Sequence, residues 1–146
     1  MAELSVVMSA EEVTDFLDRA FQQKERDRGR FVVTSITPGE AEIRFEAGDV
    51  HLRPGGTVSG PTMFALADVA AYAIVLGHVG PKGLAVTTNL NINFMRKPEP
   101  GVLIGKARLL KLGTRLAVTD CEILSGESGV MVAHATATYS IPAGEA

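Results

Sequence analysis

Hydrophobic positions along the chain switch between two periods. Val13, Phe16, Leu17 and Ala20 recur at helical spacing and Phe21 extends the stripe, the i, i+3, i+4, i+7 pattern of one helix face. Ser9 followed by Glu12 supplies a capping-box signature in front of it, so the spacing predicts a helix over about 9–28. The mixed-sign run Lys24 to Arg30, with Gly29 as a stop signal, reads as its solvated end. Phe31 to Thr37 and Ala41 to Phe45 then read as a hairpin joined by Pro38-Gly39. Ala41, Ile43 and Phe45 alternate with Glu42, Arg44 and Glu46, the pattern of a half-exposed strand.

After a loop containing Pro54-Gly55-Gly56 comes the most apolar stretch, Val58 to Val79. Ser59 or Gly60 is placed to cap a helix, with Pro61 in its first turn, and Gly77 or Gly80 to end it. The predicted helix covers about 60–77 and is apolar enough to be surrounded. From Leu84 onward the period is two. Val86, Thr88, Leu90, Ile92 and Phe94 alternate with Thr87, Asn89, Asn91 and Asn93. Val102 to Leu112, Arg115 to Leu124 and Val130 to Ile141 follow, separated by short turns. In the last, Val132, His134, Thr136 and Thr138 alternate with Ala133, Ala135, Ala137 and Tyr139. Long strands with short connections predict an antiparallel meander. The expected architecture is α+β: one domain over 1–146, with an antiparallel sheet wrapped around the long central apolar helix.

Composition narrows the function classes. The 146 residues are 46% hydrophobic and 21% charged, with a net charge of -3, and no basic stripe offers a nucleic-acid footprint. Cys121 is the single cysteine, so no intramolecular disulfide forms and a reducing, cytoplasmic compartment is expected. The start M-A-E-L-S-V-V-M does not read as a signal peptide. Val58 to Val79 has the length of a membrane span. Its alanines, Gly60-Pro61, the central Asp68 and the lack of a basic flank argue for a helix buried in protein instead.

The familiar catalytic strings are absent. His51, His78 and His134 are scattered without metal-ligand spacing, so no metal is expected. Cys121, in an apolar strand pattern, reads as a packed residue. What stands out is Asp68, the only acidic residue between Asp49 and Glu99. A carboxylate among apolar residues is costly unless it is paired, hydrogen-bonded or protonated. It either points off an exposed helix face or does chemistry. The helix start offers unpaired N–H groups and a partial positive charge. The N–H near Gly60 is suited to a developing oxyanion, and the missing side chain admits a substrate. Eight residues separate Gly60 from Asp68, so the two need not share a face. This points toward a site shared between two subunits.

The run Arg53-Pro54-Gly55-Gly56-Thr57-Val58-Ser59-Gly60-Pro61, continuing apolar to Leu66-Ala67-Asp68, resembles the hotdog-fold thioesterases of the phenylacetate-pathway (PaaI-like) branch. Thr87-Thr88-Asn89-Leu90-Asn91-Ile92-Asn93-Phe94-Met95-Arg96-Lys97-Pro98 looks like that family's strand after the central helix, and the likeness spans Phe31 to Ile141. The resemblance implies hydrolysis of an acyl-CoA thioester at the interface of a homodimer or dimer of dimers. Coenzyme A would enter as part of the substrate, with no metal or other cofactor. Asp68 matches the acid that activates water or attacks the thioester, and Gly60 the glycine whose N–H polarises the carbonyl. Thr87, beside Thr88, is similar to the hydroxyl that orients the water, and Arg96-Lys97 either approach the phosphates of coenzyme A or form a solvated strand end. Two positions depart from the family pattern: Ser59 replaces a histidine and Arg53 an asparagine. Ser59 either caps the helix or bonds the substrate carbonyl, and Arg53 either pairs with Asp68 or binds an acidic acyl group. The departures leave an alternative function, a non-catalytic acyl-CoA or small-ligand binding protein.

Overall fold

The structure, a computed structural model, describes residues 3–21 and 29–143. Helix α1 spans Ala10–Ala20 and opens with the expected capping box: Ser9 Oγ accepts the Glu12 N–H while Glu12 accepts the Ser9 N–H. Phe21 caps its C-terminus. The predicted continuation over 22–28 lies outside the described residues. Strands β1 (Phe31–Thr37) and β2 (Glu40–Ala47) form the hairpin, with Ala41, Ile43 and Phe45 buried. A single 3-10 turn, Asp49–His51, leads toward helix α2 (Gly60–Val79), which ends at Gly80 and not at Gly77. Strands β3 (Val86–Phe94), β4 (Gly101–Leu112), β5 (Leu116–Ser125) and β6 (Met131–Ser140) complete the chain.

All paired strands are antiparallel, in the order β1-β2-β4-β5-β6-β3. The expected meander holds for β4, β5 and β6 and fails for β3, which pairs with β6 at the far edge. The β3–β4 connection explains this. Pro98 and Pro100 have no N–H to give a ladder, and the connection is tied elsewhere: Met95 and Arg96 donate to the Val132 carbonyl, and Val58 donates to that of Pro98.

One face of the sheet packs on α2. Leu66, Ala70, Ile74 and Leu76 of the helix join Ile43, Leu103, Ile123 and Ala133 of the strands in a single cluster of buried residues. Small residues set the close approach: a Cβ on Gly105 would lie 3.5 Å from both Ala70 Cβ and Cys121 Sγ. By length and composition α2 could cross a membrane, yet 72% of its apolar window is buried inside the protein. At its end His78 is a structural link. Its Nδ1 lies 2.8 Å from the Ile74 carbonyl and its Nε2 accepts the Gly39 N–H at 3.0 Å, an arrangement that suits the neutral ring.

Candidate active site

Asp68 sits midway along α2, half-buried, where the helix meets β3 and β6. Thr87 Oγ1 donates to Asp68 Oδ1 at 2.5 Å, and the Tyr139 hydroxyl reaches the same Oδ1 at 2.9 Å and the Asp68 carbonyl at 3.1 Å. Burial, reinforced by the charge of Asp68, pushes the Tyr139 phenol far above its ordinary value, so it stays protonated and serves as a donor. Its ring stacks on Tyr72 with centroids 5.9 Å apart, and the Tyr72 hydroxyl donates to the Gly83 carbonyl at 3.0 Å.

Thr87 reaches Asp68 because β3 is bulged. Its register with β6 runs Thr87 to Tyr139 and then Asn89 to Thr138, leaving Thr88 as the extra residue. The bulge overturns the expected faces. Thr87 shares the partly buried side with Leu90 and Ile92, while Val86 and Thr88 are exposed. Thr88 donates instead to the Thr138 carbonyl at 3.2 Å, so it does not join Thr87 at Asp68.

At the helix start, Ser59 is the N-cap: its Oγ accepts the Thr62 N–H at 3.3 Å and lies 2.8 Å from Thr62 Oγ1. Gly60 is the first helical residue, one of the positions whose N–H the helix's own ladder leaves without an acceptor. Nothing in the chain's backbone demands glycine there. Gly60 is not among the positive-φ residues, and a Cβ would make only ordinary contact with the Phe94 ring, 3.4 Å away. Along the helix axis, eight residues at ~1.5 Å each put Gly60 about 12 Å from Asp68.

A cavity of about 690 Å³ opens along the exposed flank of α2, with Ser59, Thr62 and Asp68 on one wall and Phe31 and Phe45 on another. His51 also borders it. Its Nδ1 accepts the Gly48 N–H at 2.9 Å and its ring meets the Phe45 ring edge-on at 4.9 Å. The predicted cationic residues lie at the N-terminal end of α2. Arg53 begins a turn closed by its N–H to the Thr57 carbonyl at 2.9 Å, and the Val58–Pro98 bond brings the Arg96-Lys97 segment alongside. All three side chains are exposed. Among the described residues, no ion pair joins Arg53 to Asp68 within one chain.

Cys121 is a buried residue of β5. Burial, with Asp120 and Glu122 adding to it, pushes its thiol up to about 12. No group of His, Cys, Asp and Glu among the described residues is arranged to hold a metal ion. Two features escaped the sequence reading. Tyr139 carried a signal: it is the one large polar-tipped side chain on a face otherwise made of alanines, and a buried tyrosine hydroxyl seeks a partner. Asp120 carried none. It is buried on β5, held by Arg108 at 3.0 and 2.9 Å and by His134 at 3.1 Å.

Comparison with known proteins places these residues in context. Residues 55–132 match the family profile described as the thioesterase superfamily. A solved candidate thioesterase from Silicibacter sp. TM1040 is 48% identical, covers 95% of each chain and superposes with a TM-score of 0.84. A candidate thioesterase related to phenylacetic acid degradation, from Ralstonia eutropha JMP134, is 27% identical over 87% of this chain and 96% of its own, with a TM-score of 0.75. A candidate esterase of Saccharolobus solfataricus is 25% identical over 142 residues, 97% of this chain and 85% of the relative.

Proposed function

The chain belongs to the thioesterase superfamily and has its hotdog fold, and on that footing we propose that it hydrolyses an acyl-CoA thioester to the free acid and coenzyme A. The observation that carries this reading is the Asp68 carboxylate, held by the Thr87 hydroxyl in the wall of an apolar-sided cavity. Asp68 takes a proton from water, and the hydroxide formed attacks the thioester carbonyl. The Gly60 N–H of a second subunit stabilises the oxyanion. As the intermediate collapses, the thiolate leaves and recovers the proton from Asp68. Ser59 acts by capping the helix and so aiming that N–H. The exposed Arg96 and Lys97, with the dipole of α2, would meet the phosphates of coenzyme A with positive charge, and the exposed Arg53 would bind an acidic acyl group.

A second copy of the chain is part of this proposal. β3 is an edge strand of nine residues with its outer side unpaired in the monomer, and a long free edge is a template for pairing. Phe94 at its end, Met95 just after it and Phe64 on α2 are 50%, 49% and 41% exposed. Covering them in a homodimer, or a dimer of dimers, would carry the partner's Gly60 toward Asp68.

A thiol-release assay over short, medium and aryl acyl-CoAs tests the reading. Turnover that disappears in Asp68→Ala supports it; no turnover on any substrate, or equal turnover by the variant, sinks it. The engaged hydroxyl of Ser59 favours a second reading, a binding protein without catalysis. That reading requires saturable acyl-CoA binding that persists in Asp68→Asn while the unsubstituted protein hydrolyses nothing above background.

A further inference from the structure

Asp68 Oδ1 is where two hydroxyls from paired strands meet: Thr87 and Tyr139 are register partners across β3 and β6. Among the described residues no other group donates to this carboxylate, so both protein bonds fall on one oxygen. A carboxylate rotates easily about its last torsion. Two donors on Oδ1 stop that rotation and leave Oδ2 with a defined direction.

The tyrosine is itself held on two sides. Asp68 and Tyr72 are one helical turn apart on α2, so the same helix face supplies the acceptor of the Tyr139 hydroxyl and the ring on which it stacks. Phe16 of α1 packs edge-on against Tyr72 at 6.4 Å from behind.

We propose that Tyr139 is a positioning residue for the hydrolysis proposed above: with Thr87 it clamps Asp68 by Oδ1, so that Oδ2 is the oxygen that takes the proton from water. The inference rests on the thioesterase reading for its chemistry and on geometry alone for the clamp. Burial keeps the phenol neutral, which suits a permanent donor and rules it out as a base.

The test has one arm that needs no substrate. The infrared difference between the unsubstituted protein and Asp68→Asn isolates the Asp68 carboxylate band. Tyr139→Phe keeps the ring and its stack and removes only the hydroxyl. The band should move in Tyr139→Phe, and kcat should fall about tenfold or more at unchanged KM, the size of one hydrogen bond to a charged group acting in the transition state. A site-specific 3-fluorotyrosine at position 139, a stronger donor that deletes nothing, should move the band the opposite way. An unmoved band in either variant overturns the clamp, and a moved band with unchanged kcat overturns its role in positioning. If the unsubstituted protein turns over no thioester, the functional reading fails by itself, and the band still decides the clamp.

Discussion

Thr87 Oγ1 lies 2.5 Å from Asp68 Oδ1, a contact between the edge strand and the central helix that one β-bulge creates. Displacing Thr88 from the ladder shifts the phase of β3 by one residue. Thr87 is thereby brought round to the helix, and the asparagines that follow stay on the solvent side.

The hydroxyl, more than the shape of the side chain, is what this contact uses. Thr87→Val should lower kcat by about 10- to 100-fold, the range for a hydrogen bond to a charged group, while Thr87→Ser retains most of it. Both variants should unfold at nearly the temperature of the unsubstituted protein, as read by circular dichroism. Equal activity of the valine variant would remove Thr87 from the site.

Sharing of the site between subunits is testable by mixing two inactive variants. Gly60→Ala should fold normally, since its Cβ meets only the Phe94 ring at 3.4 Å, yet lose turnover because the methyl stands where the thioester carbonyl approaches. Unfolded and refolded together with Asp68→Asn, it should regain activity. Each mixed dimer pairs an intact Asp68 from one chain with an intact Gly60 from the other. A mixture as inactive as its components would place both residues' work within one chain.

Asp120 makes stability depend on pH. The Arg108 hydrogen bonds, helped by His134, hold its carboxyl below the usual carboxylate range against the opposing effect of burial. A depressed folded-state value contributes stability above the unfolded carboxyl's ~3.9, and the contribution is lost as pH falls through the folded value. Arg108→Met should therefore lower the urea midpoint most at pH 7, with a deficit that narrows on acidification. A deficit of the same size at every pH would show that Arg108 acts there through packing alone.

Cys121 should be silent in the native state. Its buried thiol, raised to about 12, holds almost no thiolate at neutral pH. Reaction with a disulfide reagent should proceed at the rate of unfolding and accelerate with urea. Immediate stoichiometric labelling of the folded protein would contradict the packing described for β5.

The sequence by itself determined the local features. Ser9 and Glu12 box the first helix, Ser59 and Pro61 start the second, and alternation together with turn residues such as Pro38-Gly39 marks the strands within a few positions of their observed ends. Those signals are carried by residues that are neighbours along the chain, so they can be read there. Asp68 was visible for the same reason, as one charge within an apolar run. Only the tertiary structure decided that β3 lies beside β6, that Thr87 and not Thr88 faces the helix, and that Tyr139 reaches a carboxylate 71 residues away. Strand order and a bulge's position follow from how whole elements fit around α2. That fit is a balance of contacts between residues distant in sequence, and no short window of the chain contains it.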